Sequence, residues 1–209
     1  IDQVRFPDSS IARRAEKLIA KLCTPALAQH CYRTYLWGSL LAQHDALAVD
    51  EELFYLASLL HDLGATERYF ARDPALHCFA VEGALAADEF LAEEGWSAER
   101  RDLVAEAITL HVNLSVDLQY GLVAYYLSAG ASCDVVGRRA AELPQSTIDE
   151  VLHRHPGLGF GEEFGRFLAT EARAHPEGRI AWFRAHAGDL ELFPFSEPAA
   201  SRSASSCCA

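Results

Sequence analysis

The sequence predicts an all-α fold, a single-domain helical bundle, and three observations carry that prediction. Apolar residues recur at i, i+3, i+4 and i+7 through nearly all of residues 9–187. No stretch shows the period-2 alternation of a half-buried strand. Helix start signals (Thr24-Pro25, Asp50, Ser97, Asp117) precede the apolar runs, and Gly95 and Gly137 follow two of them.

Taken in order, Ser10 to Leu22 is amphipathic and reads as the first helix. Thr24 as N-cap and Pro25 at the first helical position start a long helix to about Gln43. Asp50 caps a helix ending at His61-Asp62, and the polar residues from Ala65 to Pro74 read as a loop. Helices follow over about Leu76–Glu94, from Ser97 to about Val112, and from Asp117 to about Val136. Beyond Pro144 the pattern gives helices near Thr147–His153, Gly161–Ala174 and Arg179–Ala187. The segment Arg179–Phe195, a C-terminal helix plus an apolar anchor (Trp182, Phe183, Leu190, Leu192, Phe193, Phe195), is expected to close the bundle or meet another subunit of a homo-oligomer. The expected domain spans residues 1–195, and the Ser/Ala-rich, aperiodic tail 196–209 is expected to be disordered.

The totals bound the function classes. The 209 residues suit one domain with a sizeable core, and half of them are hydrophobic. A net charge of −12 argues against nucleic acid or an anionic membrane as partner, because both need a positive surface. No apolar run approaches the roughly 18 residues of a membrane span. The N-terminal Ile1-Asp2-Gln3-Val4-Arg5 does not read as a signal peptide. Cys23, Cys31, Cys78, Cys133, Cys207 and Cys208 form no zinc-binding spacing, so a reducing cytoplasm is the expected compartment.

Polar residues on apolar faces point to chemistry. The stretch Leu53-Phe54-Tyr55-Leu56-Ala57-Ser58-Leu59-Leu60-His61-Asp62-Leu63-Gly64 is an apolar helix ending on two metal-binding residue types. Gly64 is expected as a left-handed C-cap, which puts Asp62 in the last turn at the negative end of the helix dipole. A nearby cation would remove that penalty; for this residue alone, a solvated Asp is an equal account. His30 shares a face with Leu27, Thr34, Trp37 and Leu41; His111 ends the row Val104, Ala107, Ile108; Asp134 ends the row Val123, Tyr126, Leu127, Gly130. A single inward histidine is usually structural, but an unpaired buried carboxylate is costly. His30, His61, Asp62 and Asp134 therefore favour a shared divalent ion, with Zn²⁺, Fe²⁺ and Mn²⁺ all compatible.

These residues resemble the H…HD…D signature of the HD-domain superfamily of metal-dependent hydrolases over about residues 24–140. The string Leu-Leu-His-Asp-Leu-Gly at 59–64 is its most specific part. Within that superfamily the chain is most similar to the cyanamide hydratase-like branch. The segments His30-Cys31-Tyr32-Arg33-Thr34-Tyr35-Leu36-Trp37-Gly38, Cys78-Phe79-Ala80-Val81-Glu82-Gly83-Ala84 and Cys133-Asp134-Val135-Val136-Gly137 carry the likeness. The resemblance implies an α-helical HD fold, a small-molecule substrate, and one metal, Zn²⁺ or Fe²⁺ first, held by His30, His61, Asp62 and Asp134. Two-metal members usually carry a histidine where this chain has Phe79, which favours a single ion. His77 is the alternative source of a second-metal ligand, beside His111.

The implied chemistry is activation of water, whose pKa a divalent ion lowers toward neutrality. Asp62 would take its proton, and His111 would orient the water or donate to the substrate. Trp37 and Phe79 would close a small pocket, with Arg33, Thr66 and Glu82 as further lining candidates. A rival reading is a phosphohydrolase acting on a nucleotide or other phosphomonoester, with Arg33, Arg68 and Arg72 as phosphate clamps. A third is a non-catalytic HD domain that senses a ligand. His153 and His155 read as solvated residues near a helix end.

Overall fold

In the computed structural model, residues 3–71, 78–186 and 191–195 are described, and among them nine α-helices and no strand occur. The helices are α1 (Ser10–Leu22), α2 (Pro25–His44), α3 (Glu51–Leu60), α4 (Phe79–Glu93) and α5 (Ala98–Leu110). They continue as α6 (Gly121–Val136), α7 (Gln145–Arg154), α8 (Phe160–Ala174) and α9 (Arg179–His186). Side-chain caps fix the early starts. Ser9 accepts from the Ala12 amide, Thr24 from Leu27, Asp50 from Leu53 and Ser97 from Arg100, each satisfying an otherwise orphaned N–H.

Two expected boundaries move. Asp117 accepts from the Gln119 amide but starts a short 3-10 turn, and α6 begins only at Gly121. α3 ends at Leu60, so Asp62 lies just beyond its last turn and opens a 3-10 turn, Leu63–Ala65. Gly64 is not the left-handed cap expected. It is needed for space, because a Cβ there would overlap the Phe79 carbonyl and crowd the Gly83 amide. That contact seats α4 directly against the turn carrying Asp62. His77, Arg72, Leu190 and the tail 196–209 with Cys207 and Cys208 lie outside the described residues.

α2 and α6 form the central pair, with α3 and α5 beside them and α4 on α5. Their main core is buried Leu, Phe, Tyr and Ala from α1 to α7. A smaller cluster of Ala26, Leu27, Phe160 and Phe164 attaches α8 to the start of α2. α2 and α6 approach closely because Gly130 faces the Thr34 backbone, and this puts His30 opposite Asp134. Gly130→Ala would drive a methyl into the Thr34 carbonyl oxygen. Overpacking of this kind costs ~1–3 kcal/mol, so the variant is expected to melt roughly 5 °C lower, readable by circular dichroism.

Candidate metal centre

Four elements deliver the inward polar residues. His30 comes from the first half of α2, His61 and Asp62 follow the last turn of α3, His111 caps the C-terminus of α5, and Asp134 lies near the end of α6. All are buried. His30 Nε2 stands 3.1 Å from His61 Nε2, and each of these nitrogens stands 3.4 Å from Asp62 Oδ2. His111 Nε2 is 3.5 Å from the other Asp62 oxygen, Oδ1.

The Nδ1 partners set the tautomers. His61 Nδ1–H donates to the Ser58 carbonyl at 2.8 Å, and His111 Nδ1–H donates to the Ile108 carbonyl at 2.6 Å. Both are C-capping residues bonded to a carbonyl three positions back, so one local geometry sets both rings. His30 Nδ1–H donates to Asp134 Oδ2 at 2.7 Å. With Nδ1 protonated, each neutral ring presents a bare Nε2 lone pair. These lone pairs face the Asp62 carboxylate, and both Asp62 oxygens are buried with no hydrogen-bond partner. While these rings are neutral, acceptors converge here with no donor among them.

A divalent cation fits that arrangement. Ligands about 2.0–2.1 Å from zinc stand roughly 2.8–3.4 Å apart between octahedral and tetrahedral angles. The 3.1–3.4 Å spacings of His30 Nε2, His61 Nε2 and Asp62 Oδ2 match. Nitrogen with carboxylate oxygen suits zinc, iron or manganese. Burial works against the Asp62 carboxylate, but the surrounding imidazoles outweigh it and hold the pKa well below the usual range. Burial pulls the His61 pKa down to about 3, keeping its ring neutral. For His30 burial also acts downward, but Asp134 and Asp62 overcome it and leave the pKa raised.

Asp134, expected as a fourth ligand, stands apart from the other three residues. His30, His61 and Asp62 bring their ligand atoms within 4.8 Å of one another, and Asp134 is not in that group. Its oxygens are already occupied. Arg33 donates from Nε to Oδ1 at 2.7 Å and from Nη2 to Oδ2 at 2.8 Å, and Trp37 Nε1 donates to Oδ1 at 2.8 Å. Burial would raise the Asp134 pKa, yet the Arg33 charge and the His30 hydrogen bond lower it to about 2. Asp134 thus stands behind His30 and orients its ring, as carboxylates behind metal-binding histidines do.

Arg33 is neither a surface residue nor free for a substrate. It is fully buried, and Nη1 donates to the Pro156 carbonyl at 2.9 Å and more weakly to that of His155. Its guanidinium lies 4.8 Å from the Phe193 ring centre and 5.4 Å from that of Phe160. Trp37 lies behind Asp134 and stacks on Phe195, so it closes the network and not the pocket. Thr66 donates to the Leu63 carbonyl at 2.5 Å as a local turn bond. Glu82 is buried and accepts from the Ala71 amide at 2.9 Å, tying the loop to α4. Neither Thr66 nor Glu82 lines the pocket. Phe79 does line it, 6.0 Å centre to centre from the His111 ring. Arg68 is exposed over Tyr69. His155 is half-buried, with its Nδ1 paired to Gln29 Oε1 at 2.9 Å.

Other contributors came without a sequence signal of their own. Phe160 stacks nearly flat on the His30 ring at 4.4 Å and holds it from the α8 side. Glu171 on α8 accepts from the Phe79 amide at 2.9 Å and so locates Phe79. His30, Asp62 and His111 open into a cavity of about 510 Å³ walled by α6, α8, α9 and residues 112–114. One further His/Asp/Glu group among the described residues, His44, Asp45 and Glu142, is surface-lying and engaged by Arg139.

Comparison with known proteins agrees with this architecture. The HD domain family profile matches residues 27–155. Two proteins of Saccharomyces cerevisiae, cyanamide hydratase DDI2 and cyanamide hydratase DDI3, are each 24% identical to the chain over 177 residues. Those alignments cover 84% of this chain and 78% of each yeast protein.

Proposed function

This chain belongs to the HD-domain family, and from that membership we propose that it is a metal-dependent hydratase that adds water across a carbon–nitrogen triple bond. The observation that supports this most is the pair of buried Asp62 oxygens without a donor, faced by two imidazole lone pairs and open to a cavity. His30, His61 and Asp62 would hold one divalent ion, and Asp134 would hold His30. Such an ion supplies Lewis acidity and makes water acidic near neutral pH.

The chain's own groups then carry the proton. Asp62 Oδ1 faces His111 Nε2 at 3.5 Å, away from the Oδ2 that faces His30 and His61. Oδ1 is placed to take a proton as water oxygen bonds to the substrate carbon. His111 relays it through Nε2 to the substrate nitrogen, with Nδ1 fixed on Ile108 throughout. Addition with this one proton gives an isourea, with one C–OH and one C=N–H. Transfer of the remaining hydroxyl proton to that nitrogen turns it into a carbonyl with an amino group, as urea from cyanamide.

The phosphohydrolase reading loses its nearest clamp, because Arg33 is committed to Asp134 and to backbone carbonyls. Purified protein loaded with zinc, iron or manganese should yield urea from cyanamide and no phosphate from a panel of phosphomonoesters and nucleotides. Phosphate without urea would overturn the hydratase. Elemental analysis should give one metal per chain, and two would overturn the single-ion reading. His111→Ala should retain the metal and lose about 10²–10³ of kcat, within the usual range for a general acid–base group. Asp134→Asn should weaken metal binding about 10–100-fold, where His61→Ala abolishes it.

A further inference from the structure

The cavity above the metal centre does not match a substrate as small as cyanamide. Its volume of about 510 Å³ falls in the range that encloses a drug-sized molecule, roughly 300–1,000 Å³. Cyanamide is little larger than a few waters and would contact only the floor formed by His30, Asp62 and His111. The walls are largely apolar: Leu114, Val135, Leu168, Ile180, Phe183 and Leu192 all face the same space. Water filling such a lining gains few hydrogen bonds, whereas an apolar body there gains about 25 cal/mol per Å² of surface buried.

The cavity also has a charged end. Arg138 and Arg184 line it and are exposed, which places them on its solvent side. Arg138 uses Nη1 on the Leu114 carbonyl, and no carboxylate pairs with either arginine among the described residues. The chain carries 30 acidic residues against 18 basic ones, so two arginines at one opening that pair with no carboxylate among the described residues are a local exception.

We propose that the substrate is an amphipathic molecule, with its reacting group at the His30–Asp62–His111 floor, an apolar body along the cavity and an anionic end at Arg138 and Arg184. The inference rests on the hydratase reading for the reacting group, a nitrile or substituted cyanamide, and on the cavity alone for the rest. A substituted cyanamide would react by the same balance: water oxygen bonds to carbon, both water protons end on nitrogen, and a substituted urea leaves.

Binding and turnover separate the two parts. Calorimetry on the full, metal-loaded chain uses 6-phenylhexanoate and the neutral 6-phenylhexanenitrile as probes. The carboxylate should bind at least tenfold more tightly than the nitrile. Leu168→Trp should weaken both at least tenfold by filling the cavity, and Arg138→Glu with Arg184→Glu should weaken only the carboxylate. Equal binding of the two probes would overturn the anionic end. Insensitivity to Leu168→Trp in a variant with an unchanged melting temperature would overturn the cavity assignment. An N-alkylcyanamide bearing a terminal carboxylate should exceed cyanamide in kcat/KM by at least tenfold. Urea from cyanamide with no such gain would overturn this inference and leave the hydratase intact. Probe binding with no urea from either cyanamide would overturn the hydratase reading instead.

Discussion

Chelation should lower the melting temperature by about 10 °C, and Asp62→Asn should abolish that response. Metal at a thousandfold excess over its Kd contributes about 4 kcal/mol, and each kcal/mol moves a chain of this size about 2–4 °C. The reason is local. Stripped of a cation, Asp62 is a buried carboxylate with two partnerless oxygens beside two imidazole lone pairs. A raised His30 pKa relieves this only in part, since that ring is shared between Asp134 and Asp62. The amide nitrogen that Asp62→Asn introduces can donate to one of the lone pairs, and the uncompensated charge is gone. Metal-free Asp62→Asn should therefore melt above the metal-free parent, by a few degrees, while zinc no longer shifts it. Differential scanning calorimetry with and without chelator reads both effects. A variant that melts lower than the metal-free parent and still responds to zinc would sink the assignment of Asp62 as the cation's main charge partner.

What can be read from the sequence divides along local and non-local lines. Caps at Thr24, Asp50 and Ser97 and the stop at Gly137 are written within a few residues, and the helices lie where those signals put them. His30, Asp62 and His111 stand out because each interrupts an apolar face, and all three reach the cavity floor. Gly64 is legible as a special position but not for its reason, because the atom that forbids a Cβ belongs to Phe79, fifteen positions away in sequence. Arg33 misleads for the same cause. Three residues after His30 it looks like a clamp or a surface charge, and only the α2–α6 approach shows that Asp134 neutralises it. The cavity is not legible at all. Its walls come from α6, α8 and α9, whose apolar faces look like ordinary bundle packing until the helices leave a space between them.

The second large effect belongs to Arg33. Arg33→Met should cost about 3–5 kcal/mol, the range for removing one partner of a buried ion pair. Arg33 and Asp134 are both fully buried, and Asp134 would keep only Trp37 and His30 as donors. The melting temperature should fall by about 10 °C. Arg33→Lys should rescue little of this, because an ammonium cannot bridge both carboxylate oxygens and the Pro156 carbonyl at once. The double variant Arg33→Met, Asp134→Asn should recover more than half of the lost stability, since the stranded charge is removed along with its partner. Recovery of stability without recovery of metal affinity would locate the function of Asp134 in its grip on His30 Nδ1–H, because an amide carbonyl holds that proton less strongly than a carboxylate. If the double variant is no more stable than Arg33→Met alone, the pair does not carry the folding energy assigned to it, and the stacking of Arg33 on Phe160 and Phe193 must supply that energy instead.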